Sequence, residues 1–306
     1  SDVAGESAHE MAASLRDGDV GMVENVRFEP GEEANDPGFA AQLASLAEVY
    51  VNDAFGTAHR AHASTEGVAH LLPAVAGRLM AREVEVLNGV LAEPRTPLVA
   101  IIGGAKISTK VGVLSNLLQR VDTLWIGGAM ACTFFRAQGF ATGRSLVEEE
   151  HVDTARRLLD SAGSKDKLRL PVDVIVAPAA EAGAKTAVVD VGEIPEDQMV
   201  VDVGPRTCEL IARDVASAGT VVWNGPLGIY EIPAFAIGTR SVAAALAATA
   251  AFTVIGGGDL AAAVQDADVA DRIDHISTGG GATIEFLEGR TLPGVAALRS
   301  REAART

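Results

Sequence analysis

Two lysines stand four residues apart, just after an apolar run of the kind that forms a buried parallel strand. The run is Leu98–Ile102, a pair of glycines ends it, and the lysines are Lys106 and Lys110. Apolar residues then recur at helical spacing, which predicts a helix that begins near Ser108 as its N-cap. Cations are unfavourable at a helix N-terminus unless an anion compensates them. The lysine pair therefore predicts a phosphate site.

Glycines also follow other apolar runs, and helical stretches lie between these runs. This alternation predicts a doubly wound parallel sheet whose carboxyl edge binds ligands. Val172–Val176 and Ala187–Val191 are expected to be further strands. The turns at the strand ends are Gly127-Gly128 after Thr123–Ile126, Asn224-Gly225-Pro226 after Thr220–Trp223, Gly256-Gly257-Gly258 after Phe252–Ile255, and Gly279-Gly280-Gly281 after His275-Ile276-Ser277.

Two of these turns carry a carboxylate. Asp259 follows the Gly256–Gly258 turn, where free N–H groups suit a nucleotide phosphate and the carboxylate suits Mg²⁺. The alternative is a plain strand–helix turn with an N-capping Asp. Glu231 ends the segment Trp223–Glu231, which suits a nucleoside whose ribose hydroxyls donate to the carboxylate; the alternative is an ordinary buried loop.

Basic side chains follow the expected strands of the first part of the chain. Val20–Glu24 and Val49–Val51 are predicted strands; after them come Arg27, His59, Arg60 and His62, which suit an anionic, phosphorylated substrate. Solvated surface arginines are the alternative. Two strands are too few for a stable parallel sheet, so part of this domain is expected to be missing. One long helix is predicted over Leu72–Leu91, before the prolines of the segment 93–97.

Composition narrows the classes of function. The formal charge of −16 and the pI near 4.8 argue against non-specific binding to nucleic acid or anionic membranes. Two distant cysteines predict a reducing, cytoplasmic compartment. No Gly-x-x-x-x-Gly-Lys-Ser/Thr motif is present, and Ala261 interrupts the one near-match to Gly-x-Gly-x-x-Gly, so a P-loop enzyme and a dinucleotide-dependent oxidoreductase are disfavoured.

Taken together, seven segments resemble the phosphoglycerate kinase family, in order along essentially the whole chain. They are Glu24–Phe28, Asn52–His62, Gly103–Lys110, Ile126–Met130, Trp223–Glu231, Gly256–Asp259 and Ser277–Gly281. The resemblance implies phosphoryl transfer between 1,3-bisphosphoglycerate and ADP, giving 3-phosphoglycerate and ATP, by a cytoplasmic monomer that uses Mg²⁺.

The resemblance also implies two Rossmann-like α/β/α domains with parallel sheets, joined by a hinge helix about which the domains close. The predicted divisions are a partial phosphoglycerate-binding domain over 1–75, a hinge and linker over 76–96, a nucleotide-binding domain over 97–288, and a tail over 289–306 that packs back towards the first domain.

Roles follow from the matching motifs. By resemblance, Arg27 and Arg60 bind phosphoglycerate, Lys110 follows the transferring phosphoryl group, and Gly280 and Gly281 neutralise it at a helix start. The residues implied for the Mg-nucleotide are Lys106, Lys110, Gly127, Gly128, Asn224, Pro226, Glu231, Gly256, Gly257, Gly258 and Asp259, with Asp259 as the metal ligand.

Two departures from the family pattern leave an alternative open. Leu260 stands where the family usually has Ser or Thr, which removes a hydroxyl from the phosphate turn. The family's first segment, with further substrate motifs and an arginine of the transition state, has no counterpart in this sequence. The alternative function is therefore a nucleotide-binding fragment that does not catalyse transfer.

Overall fold

The structure is a computed structural model that describes residues 2–161 and 167–299. Residues 300–306 of the predicted tail lie outside this range. The chain forms two compact units. The first comprises the chain up to Glu85 together with the described part from Arg290, and the second is Val86–Gly289.

Twelve helices are present in the described ranges. The first unit contains α1 (Glu6–Ser14), α2 (Pro30–Glu33), α3 (Pro37–Ala44) and α12 (Pro293–Arg299), and α4 (Arg78–Ala92) continues from it into the second unit. The second unit contains α5 (Val111–Leu118), α6 (Ala131–Ala137), α7 (Val152–Asp160), α8 (Pro205–Ser217), α9 (Ile237–Ala248), α10 (Gly258–Asp266) and α11 (Gly281–Leu287). None of the described helices is long and apolar enough to cross a membrane.

A six-stranded parallel sheet forms the centre of the second unit. Its strands are β3 (Leu98–Ile102), β4 (Thr123–Ile126), β5 (Leu168–Arg169), β9 (Thr220–Asn224), β10 (Phe252–Gly256) and β11 (His275–Ile276), in the order β11-β10-β9-β3-β4-β5. β3, β4 and β9 are buried along their whole length, as expected for strands covered on both faces. Trp125 and Trp223 lie in the core beside this sheet. The predicted parallel α/β architecture is confirmed.

The strand order places a crevice between β3 and β9. From β3 the chain adds β4 and β5 on one side, and it later adds β10 and β11 on the other side of β9. In doubly wound sheets a ligand binds where the order reverses, outside the carboxyl ends of the strands. The carboxyl ends of β10, β9, β3 and β4 lie side by side at one edge of the sheet. Asn224 pairs with both Ile102 and Gly256, and Ile102 pairs with Ile126.

Two strands predicted for the parallel sheet belong instead to a separate antiparallel sheet. β6 (Asp173–Ala177) lies between β7 (Ala187–Asp190) and β8 (Met199–Val203), and both pairings are antiparallel. The connection between β6 and β7 is too short for the crossover that parallel strands need, so the chain turns back as a hairpin. β8 has no counterpart among the predicted strands.

The first unit differs from the sequence prediction in two places. Val20–Glu24 is not a strand: Val20 is 91% and Met22 is 89% exposed, and no strand of the described chain pairs with the segment. The N–H of Glu24 donates instead to the carbonyl of Asp2 (3.2 Å). The predicted helix over Leu72–Leu91 begins only at Arg78, because residues 74–76 form a strand beside residues 50–52.

The pair just mentioned, β1 (Tyr50–Asn52) and β2 (Ala74–Ala76), is parallel. The N–H of Gly294 in α12 donates to the carbonyl of Ala58 (2.9 Å), which ties the described part of the C-terminal segment to this unit. The functional names given to the two units remain predictions.

Candidate functional site

Lys110 occupies the crevice between β3 and β9. Its side chain is buried, with 8% relative exposure, and Nζ donates to Oδ1 of Asn224 at the end of β9. Burial lowers the pKa of Lys110 to about 8, and the negative charge of Asp259 partly opposes this shift. Lys110 is therefore mostly cationic at pH 7, and an anion entering the crevice would meet a poorly solvated charge.

The start of α5 differs in detail from the prediction. Lys110 is itself the N-cap residue of α5, one position before the first helical residue, Val111. Ser108 does not cap this helix, because its hydroxyl and its N–H both donate to Glu148 (2.5 and 3.1 Å). Lys106 is exposed in the same loop, and its carbonyl accepts from Oγ1 of Thr109 (3.0 Å).

Asn224 fixes the centre of the site. Its side-chain amide donates to the carbonyl of Gly256 (2.8 Å) while its oxygen accepts from Lys110, so both ends of the amide are engaged. The amide also lies near Gly257, where φ is +104° and an added Cβ would stand 3.4 Å from Nδ2. The structure thus brings Asn224 next to the first two residues of the triglycine turn.

Close backbone approaches join the turns after β3, β4 and β9. The N–H of Gly104 donates to the carbonyl of Pro226 (3.1 Å), and that of Gly128 donates to the carbonyl of Leu227 (3.1 Å). A side chain at Gly128 would overlap the backbone of Gly104, and one at Gly127 would overlap Leu227. Glycine is therefore required for these turns to converge.

The turn after β11 reaches the same sheet edge. Oγ of Ser277 is 2.6 Å from Oγ1 of Thr283 and accepts from the N–H of Gly279 (3.1 Å). Thr283 lies against Gly256, because an added Cβ at Gly256 would be 2.9 Å from Cγ2 of Thr283. Gly280, with φ of +48°, and Gly281 begin α11 directly after this turn.

The two predicted carboxylates lie near each other. Asp259 is exposed in the first turn of α10, and Glu231 is exposed in the loop after β9. Burial and the charges of both carboxylates raise the pKa of Tyr230. Asp259 also acts electrostatically on Lys110, so its charge is felt both by the buried cation and by Tyr230 in the loop of Glu231.

The basic residues of the first unit form a second group. His62 is buried with 8% exposure, and its Nδ1 lies without a hydrogen-bond partner, 3.8 Å from Oε1 of Glu32. Burial lowers the pKa of His62; Arg27 and Arg60 lower it further, and Glu32 opposes them. Both guanidinium groups thus favour the neutral form of His62.

The two arginines of this group are accessible. Arg60 is exposed, and its Nε donates to Nε2 of His59 (3.3 Å). Arg27 is paired with the exposed Glu33, so an anion arriving at Arg27 would compete with that carboxylate. The structure brings the two predicted arginines into one electrostatic neighbourhood with His62.

One further buried carboxylate was missed by the sequence analysis. Asp202, in β8, is 1% exposed and touches the loop that follows β9. The available signal was a single charged residue inside an apolar run, Met199–Val203. That run is not among the predicted strands.

Comparison with known proteins identifies the family. The family model described as phosphoglycerate kinase matches residues 1–290. A phosphoglycerate kinase of Moorella thermoacetica is 56% identical over 98% of this chain and 77% of its own length, and one of Pelotomaculum thermopropionicum is 55% identical over 97% and 76%.

Solved structures agree with the sequence relatives. The phosphoglycerate kinase of Coxiella burnetii matches with a TM-score of 0.85 at 46% identity, covering 90% of this chain and 72% of that one. The enzyme of Pyrococcus horikoshii matches with a TM-score of 0.88 at 34% identity, covering 97% and 77%. With its sheet order, its glycine-lined crevice and these relatives, the chain belongs to the phosphoglycerate kinase family.

Proposed function

We propose that this protein catalyses the glycolytic transfer of a phosphoryl group between 1,3-bisphosphoglycerate and ADP, giving 3-phosphoglycerate and ATP. The observation that carries the proposal is the buried Lys110 ammonium, held by Asn224 at the reversal point of a doubly wound sheet. Phosphoryl transfer needs positioning and charge neutralisation more than covalent chemistry, and a poorly solvated cation on a rigid sheet edge supplies both.

The nucleotide is assigned to the second unit. Lys110 would exchange the oxygen of Asn224 for a phosphate oxygen and stay with the phosphoryl group as it transfers. The turns of Gly127-Gly128, Asn224–Pro226 and Gly256–Gly258 would receive the nucleotide, because they leave room where side chains would otherwise stand. Glu231 would accept hydrogen bonds from the ribose hydroxyls. Lys106, which is exposed and lies four residues before Lys110, would add a second cation.

Mg²⁺ fits the carboxylate of Asp259, which acts electrostatically on Lys110. Asp259 is exposed and forms no ion pair with any residue in the described ranges, and carboxylate oxygen is a donor that Mg²⁺ prefers. We propose that Asp259 holds the metal of the Mg-nucleotide, where the ion would offset phosphate charge. The N–H groups of Gly280 and Gly281 would meet the transferring group at the start of α11.

Phosphoglycerate is assigned to Arg27 and Arg60 in the first unit. Guanidinium groups bind phosphate and carboxylate oxygens bidentately, and both groups are present in this substrate. We further propose a cytoplasmic monomer that binds neither nucleic acid nor membrane. The free, buried thiols of Cys132 and Cys208 and the charge of −16 support this.

The test combines a coupled kinase assay with calorimetry. We expect the protein to bind Mg-ADP and to turn over, and Lys110→Ala to lower kcat about 10²- to 10³-fold with a much smaller change in KM. Lys106→Ala is the matched control, an exposed lysine of the same loop, whose loss should weaken binding more than it slows transfer. Binding of Mg-ADP without turnover would instead support the alternative of a non-catalytic nucleotide-binding protein.

A further inference from the structure

Asp202 is a buried carboxylate that no step described so far uses. It is 1% exposed near the end of β8, and no cation is paired with it in the parts of the chain that the structure describes. Burying an unpaired carboxylate is costly unless hydrogen bonds compensate it. Other groups must therefore compensate the buried charge of Asp202.

Backbone N–H groups supply the compensation. Oδ2 of Asp202 accepts from the N–H of Gly238 (2.7 Å), Oδ1 accepts from that of Val203 (2.8 Å), and the N–H of Ile237 donates as well. Ile237 and Gly238 are the first two residues of α9, where unpaired N–H groups and the helix dipole favour a negative charge. Asp202 thus joins β8 to the start of α9.

The same carboxylate also contacts the loop after β9. A Cβ at Gly228 would overlap the Asp202 carboxylate, so the backbone of the loop lies directly against it. On one side of this contact the N–H of Leu227 donates to Oγ1 of Thr239 in α9 (3.0 Å). On the other side the N–H of Ile229 donates to the carbonyl of Val201 in β8 (3.0 Å).

The anchored loop carries residues of the proposed nucleotide site. It begins at Gly225, next to Asn224, and ends at Glu231. Its carbonyls at Pro226 and Leu227 accept from Gly104 and Gly128, the glycines after β3 and β4. A shift at Gly228 would therefore move the contacts on which the convergence of the three turns depends.

We propose that Asp202 is a positioning residue for nucleotide binding, which fixes the loop Gly225–Glu231 against β8 and the start of α9. The inference rests on the proposed function, because it assumes that this loop receives the nucleotide. The ionised carboxylate is the competent form, since it accepts from three N–H groups at once. A protonated carboxyl or an amide would direct a donor at one of them.

Protonation of Asp202 distinguishes a positioning role from a merely structural one. Only a positioning role makes the Mg-ADP affinity depend on the charge of this carboxylate. Burial raises the pKa of Asp202 to about 7, so the carboxylate loses its charge as the pH falls through neutrality. The titratable groups near it are Cys208 on α8, whose pKa burial raises to about 12, and Asp173, which faces Cys208. Cys208 therefore stays neutral over the range in which Asp202 titrates.

Asp173 provides a matched control. It is also 1% exposed, lies in the same antiparallel sheet and accepts from N–H groups at a helix start, those of Arg206 (3.0 Å) and Thr207 (2.8 Å) in α8. Its described contacts are with that helix start and with neighbouring strands, not with the loop Gly225–Glu231. Loss of either carboxylate removes a buried helix cap, but only one of them should affect the nucleotide.

The experiment measures Mg-ADP affinity for the full chain and for the variants Asp202→Asn and Asp173→Asn, from pH 6 to pH 8. We expect Asp202→Asn to weaken binding about tenfold at pH 8, a change of about 1.4 kcal/mol, whereas Asp173→Asn stays within about twofold. The affinity of the unsubstituted protein should fall towards pH 6 more steeply than that of Asp202→Asn. The titration of the nucleotide itself cancels in this comparison.

Amide hydrogen exchange supplies the second measurement. Exchange at Leu227 and Ile229 should quicken in Asp202→Asn and remain unchanged in Asp173→Asn. If the two variants bind Mg-ADP equally well and exchange alike in the loop, the positioning role is wrong while the proposed function stands. If the unsubstituted protein fails to bind Mg-ADP at all, the proposed function fails first. Should Asp202→Asn not fold, Thr239→Val loosens the same loop from α9 and must weaken binding in its place.

Discussion

The side chain of Lys110 combines two properties that rarely occur together. It is buried, with 8% exposure, yet it donates to the neutral amide oxygen of Asn224 and forms no ion pair with a carboxylate in the described parts of the chain. Desolvation raises the free energy of the cation, and a phosphate oxygen would lower it again. Binding of an anion therefore offsets the unfavourable desolvation of the Lys110 ammonium. This property suits a group that must stabilise a phosphoryl group during its transfer.

This burial predicts how the activity depends on pH. Because the pKa of Lys110 is lowered to about 8, the free protein loses the cation as the pH rises through that value. We expect kcat/KM for Mg-ADP to fall about tenfold per pH unit above pH 8, whereas kcat should hold to higher pH because bound phosphate raises the pKa of the lysine.

The control for this profile is Lys110→Arg, whose guanidinium stays charged throughout the range. Its kcat/KM, lower in absolute terms, should not decline between pH 8 and pH 10. A profile for the unsubstituted protein that remains flat over the same range would contradict the assigned role of Lys110.

At the scale of the elements, the glycine turns after β3, β4 and β9 can approach one another closely because they lack side chains. The turns after β3, β4 and β9 approach so closely that carbonyls and N–H groups of different turns bond directly, as between Gly104 and Pro226. A parallel sheet alone does not produce this arrangement, since ordinary turns keep their side chains between the backbones. The glycines therefore serve to bring polar backbone groups to one point at the sheet edge.

Gly128 provides the test at this scale. It has φ of +68°, and an added methyl group would overlap the backbone of Gly104, so Gly128→Ala should cost roughly 2–3 kcal/mol of unfolding free energy and abolish most Mg-ADP binding. Denaturant unfolding and calorimetry measure the two effects.

Gly139→Ala is the matched substitution for that experiment. Its φ is also positive, at +90°, but nothing lies within 4 Å of an added Cβ, so only the backbone strain of roughly 1 kcal/mol is expected. Mg-ADP affinity should not change. Equal effects of both substitutions on binding would mean that the close approach of the turns is not needed for the nucleotide.

At the scale of the whole molecule, the chain divides into two units with different proposed ligands. The second unit carries the glycine-lined crevice, and the first carries Arg27, Arg60 and His62. The molecule as a whole has a charge of −16, so each anionic ligand must be attracted by local cations against an unfavourable overall field.

Ligand-specific hydrogen exchange tests this division. Mg-ADP should slow the exchange of amides at residues 103–130, 224–231 and 256–259, whereas 3-phosphoglycerate should slow exchange around residues 25–28 and 59–65. Arg60→Ala should remove the second pattern and leave the first intact. Protection of the second unit by 3-phosphoglycerate alone would show that the two ligands are wrongly assigned.

Several parts of this structure follow from local sequence. The strand Leu98–Ile102 and the glycine turns at the strand ends were predicted because each has a local cause, a continuous apolar run or a tight turn that only a small residue allows. The cluster of motifs also identified the family, and with it the residues to which a role is proposed. None of these inferences needed to know which strand lies beside which.

Only the tertiary structure decided how the strands pair and which distant residues meet, because both depend on contacts between separate parts of the chain. The composition of Ala187–Asp190 is compatible with a parallel or an antiparallel strand, and only its pairing with β6 shows that it is antiparallel. Val20–Glu24 has the composition of a strand, but no strand of the described chain pairs with it. Asp202 shows the same limit for function. Its contacts at Gly228 and Gly238 lie 26 and 36 positions away along the chain, so no local pattern reveals that a carboxylate in an apolar strand supports the loop that ends at Glu231.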